Sequence, residues 1–341
     1  VVLISLGVRQ TFGLFFIDFN ESLNISNTAF GFAIGTQMLM WGLTGPIFGA
    51  IADRFGGHVA IISSFLFYTL GVYFLYSGPN TGIFFQIHLG LLIGIGLGGT
   101  AISIPMSIVG KHFPLSTRTI AMSIVTAVGS FGYFISPIFT NYSLIEYGWN
   151  YTLFLFSLFL ITGLIAAFFV RSPKENEIIE NRSDQSFKEA LSEAFKSKSY
   201  ILLVSGFFVC GFHITLVGTH VPKYVIDRGL EDWTAAAILS LIGLFNIFGS
   251  LLSGYLSTKI SKKILLSAIY LLRGFSIVFF IFTPPSVLSA FIFGASFGFL
   301  WLSTVPATSG IVAHLFGTKY LGLLYGIVFL SHQIGSFFGA Y

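Results

Sequence analysis

Charge is scarce in this sequence of 341 residues. Only 9% of the residues are Asp, Glu, Lys or Arg, 55% are hydrophobic, and the mean hydropathy is +0.87. Soluble domains carry about 25% charged residues, so this composition excludes a water-soluble fold. We therefore expect the chain to be surrounded by a lipid bilayer and to have no nucleic-acid partner.

Cysteine is nearly absent as well, because Cys210 is the only one. A single thiol inside an apolar stretch excludes a disulfide framework and a cysteine-based metal site. We expect no metal ion and no cofactor.

Two motifs typical of enzymes lack the features that would complete them. The G-x-G-x-x-G sequence that begins at Gly94 follows no strand and has no acidic residue about 20 positions later, as a dinucleotide site requires. Together with Gly90 and Gly98 it is instead a small-residue face for helix packing. The G-x-S-x-G sequence that begins at Gly294 needs a carboxylate further along the chain, but none follows Asp232. We therefore predict that the protein is not an enzyme.

Apolar runs of about 20 residues, enough to cross a bilayer as helices, recur between short polar breaks. They predict an all-α membrane protein with two bundles, residues 1–170 and 200–341. The eleven predicted spans, numbered in chain order hereafter, are 1–17, 28–51, 59–76, 82–109, 119–140, 151–170, 200–224, 235–256, 264–282, 287–312 and 321–341. The chain starts with Val and stops inside an apolar run, so we expect a fragment truncated at both ends that lacks a twelfth helix.

Residues 171–199 form the only long polar segment and are predicted to link the bundles. Ser186 and Glu189 have the spacing of a helix capping box. The apolar residues that follow fall on one helical face, with charged residues opposite. This pattern predicts a short amphipathic helix lying on the membrane surface.

Basic residues predict the orientation, because Lys and Arg are retained on the cytoplasmic side of membranes. Most of the 17 Lys and Arg residues lie in the linker and in the loops after spans two, four, eight and ten. These loops, the linker and the N-terminus are therefore predicted to be cytoplasmic. We expect a multi-pass protein of a bacterial inner membrane that functions as a monomer.

The two halves align with an offset of 205 residues. The end of span two, from Gly49 through Arg54, then matches the end of span eight, from Gly254 through Lys259. The glycine and the basic residue are kept, and the carboxylate of Asp53 is lost. Two related six-helix repeats follow from this alignment.

The sequence Gly49-x-x-x-Asp53-Arg54-x-Gly56 stands where the chain leaves one helix and enters the next. Gly49 would allow close helix approach, Gly56 would supply a turn with positive φ, and Asp53 would accept from a helix N-terminus. This motif resembles the G-x-x-x-D-[RK]-x-G-x-[RK] loop of the major facilitator superfamily, although His58 replaces the last basic residue. The resemblance implies a cytoplasmic gate at Gly49, Asp53, Arg54 and Gly56. An anchored turn without a gating role is the alternative.

Softer patterns resemble the monocarboxylate porter and oxalate/formate antiporter branch of that superfamily. They are Gly7-Val-Arg9-Gln10 in span one, Gly148-Trp149 before span six, Cys210-Gly211-Phe-His213 in span seven, and Phe316 to Gly322. That branch places a basic residue in helix one facing the substrate, which implies such a role for Arg9.

Arg9 also carries a physical argument of its own. A guanidinium near the middle of a span costs several kcal/mol unless it faces protein, water or an anion. Asp18 is about 13 Å away along the helix, and no Asp or Glu is central in any predicted span. An unpaired arginine in such surroundings predicts a binding site for a small carboxylate. Bonding to helix carbonyls, or snorkelling to the interface, is the alternative.

Several other polar residues inside spans are candidates for the same substrate site. Arg273 is equally deep, but its span nine is a peripheral support in the superfamily, so a structural bond is its alternative. His213 and His220 share a face of span seven and could exchange a proton, since histidine has an ordinary pKa of about 6.5. The remaining candidates, for which interhelical bonding is the alternative, are Gln10, Gln37, Tyr133, Asn246 and His332.

Together these features predict a secondary active transporter that moves a small organic anion by alternating access, coupled to a proton or to a counter-anion. A proton-driven exporter of drug-like compounds is one alternative, although it usually needs a membrane-embedded acid. A membrane sensor without transport activity is the other, because fold alone does not determine function.

Overall fold

The structure is a computed structural model that describes residues 1–112, 115–170, 187–257, 259–316 and 321–341. The described residues are almost entirely helical and contain no strand. Among these residues seven helices are long and apolar enough to cross a membrane, and one of them, Ile124–Ala167, covers most of predicted spans five and six. The all-α membrane fold predicted from composition is confirmed.

The helices cover all eleven predicted spans. Span two is Asn27–Phe55, span three Gly57–Ser77, span seven Lys198–Asp227, span eight Asp232–Leu256, span nine Lys262–Phe282 and span eleven Leu321–Ala340. Spans five and six run together as Leu115–Ala167 and are separated only by a kink at Gly148, whose φ is 79°. In the linker a helix spans Phe187–Lys196, as predicted, while Ser186 lies outside the described residues.

Three spans are interrupted near their middle. Span one changes from the α-helix Val2–Gln10 to a 3₁₀ turn, Phe12–Phe15, before Phe16–Leu23. Span four comprises Ile83–Phe85, the π-helix Gln86–Leu92, Ile93–Thr100 and Ser103–His112, and span ten comprises Val287–Leu300 and Thr304–Phe316. Both spans are the fourth of their half, and by the repeat offset their breaks lie about one helical turn apart. Interrupted helices of this kind are tolerated in a membrane only where protein or a cavity satisfies the freed backbone groups.

Glycines bring the helices of each half into contact. A side chain at Gly94 would lie 2.6 Å from the Gln37 carbonyl oxygen, and Gly90 and Gly98 face span two in the same way. The predicted packing face of span four is therefore confirmed. In the second half Gly298 of span ten packs in the same manner on Ile242 of span eight.

The two halves meet closely at one end of the molecule, which we call the closed end. There a side chain at Gly13 would lie 2.6 Å from the Gly218 carbonyl oxygen, and one at Gly35 would lie 2.8 Å from the Phe337 ring. Gly243 of span eight packs directly on the backbone of span five. Absence of a side chain on one partner lets these helices approach to backbone distance.

Near the opposite end, the matching glycines Gly49 and Gly254 face open space, since a Cβ at either would meet no described atom within 4 Å. Among the described residues Gly49 therefore makes no close helix approach, and the expectation that it does is wrong for this part of the chain. The close glycine contacts between the halves thus lie at the closed end, and none is seen at these two positions.

Valine in place of Gly243 should force the closed end apart, because a branched side chain cannot share space with the span-five backbone. We expect the distance between spin labels at Ser22 and Arg228 to lengthen by several ångströms. Gly254→Val is the matched control and should leave that distance unchanged. Equal distances in both variants would contradict close packing at Gly243.

Candidate functional site

Arg9 lies at the point where span one changes from α-helix to 3₁₀ turn. Its helical hydrogen-bond pattern ends beside it, because the Thr11 N–H bonds to the Val8 carbonyl three residues back, at 3.3 Å. The side chain is 8% exposed. The guanidinium is therefore held in the middle of the first half, next to backbone that departs from regular helix.

The contacts of the Arg9 guanidinium are weak ones. One terminal nitrogen donates to the Gln10 Oε1 at 3.5 Å and the other lies 3.3 Å from the Met38 sulfur. A thioether is a poor acceptor, and 3.5 Å is at the limit for a hydrogen bond. Among the described residues, no carboxylate pairs with Arg9. This buried cation consequently lacks a strong protein partner.

Two candidate residues of the first half, Gln10 and Gln37, have buried polar atoms without partners. The Gln10 Nε2 and the Gln37 Oε1 are buried and bond to nothing in the described part of the chain, although the Gln37 Nε2 donates to the Leu89 carbonyl at 3.0 Å. Buried polar groups are normally satisfied, so each exception needs a partner such as water or a ligand.

Two tyrosines complete the surroundings of Arg9. Tyr133 and Tyr68 are both buried and both lie near the guanidinium. The Tyr68 hydroxyl donates to the Ser5 carbonyl at 2.9 Å, one helical turn before Arg9. Of the predicted candidates, Gln10 and Tyr133 thus lie beside Arg9, whereas Gln37 bonds to span four.

Arg273 has the opposite environment, although it is equally deep. It is 0% exposed, and one terminal nitrogen donates to the carbonyls of Leu300 and Trp301, the latter at 2.7 Å. The other donates to the Cys210 sulfur at 3.1 Å. These carbonyls are freed by the break in span ten. The contacts favour the structural alternative given for Arg273 above.

Asn246 also bonds to the break in span ten. Its Oδ1 accepts from the Leu302 N–H at 2.9 Å, and its Nδ2 donates across the bundle interface to the Ser130 hydroxyl at 2.8 Å. In the same region the Ser253 hydroxyl donates to the Ser303 carbonyl. Asn246 therefore joins span eight, span ten and span five, which is the interhelical bonding that stood as its alternative.

The three candidate histidines have different surroundings. His220 is exposed and lies 2.9 Å from the Ala340 carbonyl oxygen through its Nε2, at the closed end. His332 stacks on Phe329 and contacts Gln333, whereas the buried Nδ1 of His213 has no hydrogen-bond partner. Of the three, His213 is the one with a buried ring nitrogen that has no partner among the described residues.

In the predicted gate loop, Gly56 has φ 97°, so the predicted turn conformation is confirmed. Its N–H caps the preceding helix by donating to the Ala52 carbonyl at 3.0 Å. Arg54 is exposed, with its guanidinium over the Phe55 ring at 5.3 Å. The side chain of Asp53 lies outside the described residues. The gating role stays a prediction.

Three residues near these sites escaped the sequence analysis. Met38 resembles any apolar residue of a span, so nothing marked it. Gln333, whose Nε2 is buried without a partner, is polar within span eleven and could have been selected on that ground. Tyr68 could have been found from the repeat, because the offset of 205 places it opposite Arg273.

Comparisons with known proteins agree with this architecture. The family described as Major Facilitator Superfamily matches residues 1–340. The MFS-type transporter YcxA of Bacillus subtilis is 23% identical, over 98% of this chain and 82% of its own length. Monocarboxylate transporter 6 of Mus musculus is 24% identical, over 80% of this chain and 62% of its own length.

Solved structures show the same fold. A bacterial homologue of the human lysosomal transporter Spinster, in an inward-facing and unoccupied conformation, superposes with a TM-score of 0.74 at 16% identity. The match covers 99% of this chain and 79% of that one.

The two bonds of Asn246 predict a measurable coupling across the bundle interface. Both Ser130→Ala and Asn246→Ala should lower the free energy of unfolding. The loss should be larger, about 1–3 kcal/mol, for Asn246→Ala, which removes two bonds. A double-mutant cycle should give a coupling of about 0.5–1 kcal/mol from thermal unfolding in detergent. Additive losses would show that the Ser130 bond does not contribute.

Proposed function

The chain belongs to the major facilitator superfamily, and on that premise we propose that it moves a small organic anion, a monocarboxylate or dicarboxylate, by alternating access. It is a multi-pass membrane transporter rather than an enzyme. The observation that supports an anion as the substrate is the environment of Arg9. This buried cation contacts, among the described residues, a thioether sulfur and, through one long bond, an amide oxygen. A carboxylate would supply a strong bidentate acceptor, which the described residues do not provide.

The site would work through charge and donor complementarity. A carboxylate approaching from the end at which Gly49 and Gly254 face open space would pair with the Arg9 guanidinium. The Gln10 Nε2, which has no partner in the described part of the chain, would donate a further hydrogen bond. Tyr133 lies beside the same guanidinium and borders the contact of span five with Gly243.

Neutralising Arg9 would lower the cost of closing the site. An unpaired cation is expensive to remove from water, whereas a paired and hydrogen-bonded one costs far less. Occupied and empty forms would therefore differ in how readily the open end closes. This difference is what a carrier needs in order to move its substrate rather than leak.

His213 is the proposed proton carrier, because its buried Nδ1 has no partner and its span packs against span one at Gly13. His220 and His332 contact protein groups and fit that role less well. Exchange against a second anion is the other coupling that the site permits, since Arg9 can bind either anion in turn. A drug exporter driven by protons is disfavoured, because none of the predicted spans has a central carboxylate.

The basic residues favour a cytoplasmic position for the open end. Arg54 and Lys259 follow spans two and eight at that end. On this orientation the arrangement seen here faces inward, and the loop from Gly49 to Gly56 would close over the site in the other state. We place the protein in a bacterial inner membrane, as a single functional chain with the N-terminus and linker cytoplasmic.

Removing the charge of Arg9 should abolish saturable carboxylate transport. In proteoliposomes that contain the full-length protein, assayed with a panel of mono- and dicarboxylates, we expect Arg9→Gln to lower kcat/KM about 100-fold, or roughly 3 kcal/mol. Arg9→Lys should retain part of the flux, because an ammonium keeps the charge but loses the fork.

The matched control is Lys223→Gln, which removes a positive charge that pairs with Asp227 at the surface. Its flux should equal that of the wild type. Unchanged flux in Arg9→Gln would remove Arg9 from the mechanism. Absence of any flux from the wild type would instead favour a membrane sensor.

Replacing His213 by Gln should separate proton coupling from anion binding. We expect stimulation of uptake by an imposed pH gradient to disappear, while anion exchange without a gradient continues. His88→Gln is the control, since His88 is buried in the other half and lies 3.2 Å from the Asn80 Oδ1. If stimulation persists in His213→Gln, His213 does not carry the proton.

A further inference from the structure

In each half, a pair of side chains at matching positions connects the first span to the fourth, and we call this connection a joint. In the first half the hydroxyls of Ser5 and Thr100 are 2.7 Å apart, and in the second half the Cys210 sulfur lies 3.5 Å from the Thr304 hydroxyl. Ser5 and Cys210 are separated by the repeat offset of 205 residues, and Thr100 and Thr304 by 204. Each pair ties the first span of its half to the fourth span, beside the break in that fourth span.

A third side chain reaches each joint from the third span of the half. Tyr68 donates to the Ser5 carbonyl at 2.9 Å, and Arg273 donates to the Cys210 sulfur at 3.1 Å. Tyr68 and Arg273 are again separated by 205 residues, and both are 0% exposed. Three positions on three helices thus recur together, although the residue types differ at two of them.

The difference between the joints concerns charge. In the second half an arginine, Arg273, stands at the joint and donates to the freed carbonyls of span ten. The position of the second half that matches Arg9 is the neutral Ile214. The first half has a neutral tyrosine at the joint. Arg9, one turn beyond Ser5, therefore makes none of the bonds of the joint in the first half.

Tyr68 acts on the same carbonyl that orders Arg9. In an α-helix the N–H of a residue donates to the carbonyl four residues earlier, which for Arg9 is the Ser5 carbonyl. Beyond Arg9 the α-helical pattern is lost, so this last regular turn determines where the guanidinium points. A bond from a rigid, fully buried tyrosine restrains that turn against span three.

We propose that Tyr68 and Arg273 are equivalent positioning residues of the two repeats, and that Tyr68 orients Arg9 towards the anion. The equivalence of the joints stands on the bonds described above, whereas the effect on the anion rests on the proposed function. Neither residue touches the substrate. Tyr68 acts through the last turn of the span-one helix, and Arg273 acts through the break in span ten.

Hydrogen–deuterium exchange of the purified full-length protein tests the joints without reference to transport. Tyr68→Phe removes only the hydroxyl, and we expect exchange in Val2–Gln10 to quicken about fivefold. Tyr200→Phe is the matched control, because the Tyr200 hydroxyl is buried and donates to the Leu324 carbonyl at 2.7 Å in the other half. It should leave Val2–Gln10 unchanged.

Arg273→Lys keeps the charge but cannot reach two carbonyls and a sulfur together. Exchange at residues 300–304 should quicken, while Arg228→Lys, which alters an exposed arginine of the same half, should have no effect there. Unchanged exchange in Tyr68→Phe or in Arg273→Lys would overturn the corresponding joint.

Transport then tests the positioning of Arg9. We expect Tyr68→Phe to raise the KM for carboxylate about fivefold with kcat within about twofold of the wild type, and Tyr200→Phe to change neither. A raised KM without quicker exchange would make Tyr68 a direct contact and overturn the proposal, as would quicker exchange without a change in KM. If the wild type carries no carboxylate, the proposed function fails and the exchange measurements still decide the joints.

Discussion

A helix that is interrupted inside a membrane leaves backbone groups that no water can satisfy, and much of this structure follows from that constraint. Around residues 300–303 of span ten, the freed carbonyls and one N–H are bonded by Arg273, Asn246 and Ser253. All three come from spans eight and nine. Three polar side chains of the second half are therefore engaged by its own backbone, and Asn246 extends the same network to Ser130 in the first half.

This engagement separates two arginines that look alike in sequence. Arg273 is bonded to carbonyls and a sulfur, whereas Arg9 contacts a thioether and a distant amide oxygen. A buried guanidinium that already has good acceptors gains little from an anion, and one that lacks them gains a great deal. The asymmetry between two related halves thus concentrates the free positive charge on span one. The neutral joint at Tyr68 makes that concentration possible, because it restrains span one without using a cation.

The sequence predicted the architecture well and the site only in part. Spans, the linker helix and the turn at Gly56 were readable because apolar runs and a positive-φ glycine are local properties of the chain. Asn246 and Arg273 were assigned to the substrate site because a polar residue inside a span needs a partner, and the sequence does not say which partner it has. Tyr68 was overlooked because only its hydrogen bond shows its role, although the repeat places it at the position that matches Arg273.

By itself the sequence determined that the chain is a bundle of apolar helices, that it contains a repeat of 205 residues and that it carries few buried charges. These follow from composition, helix length and periodicity, which need no knowledge of neighbours. Only the tertiary structure decided which buried polar atoms are paired and which are left open, and at which end the halves touch. The reason is physical, because hydrogen bonds act over only about 3 Å and the close glycine contacts join backbones directly. Both connect residues that are far apart in the chain.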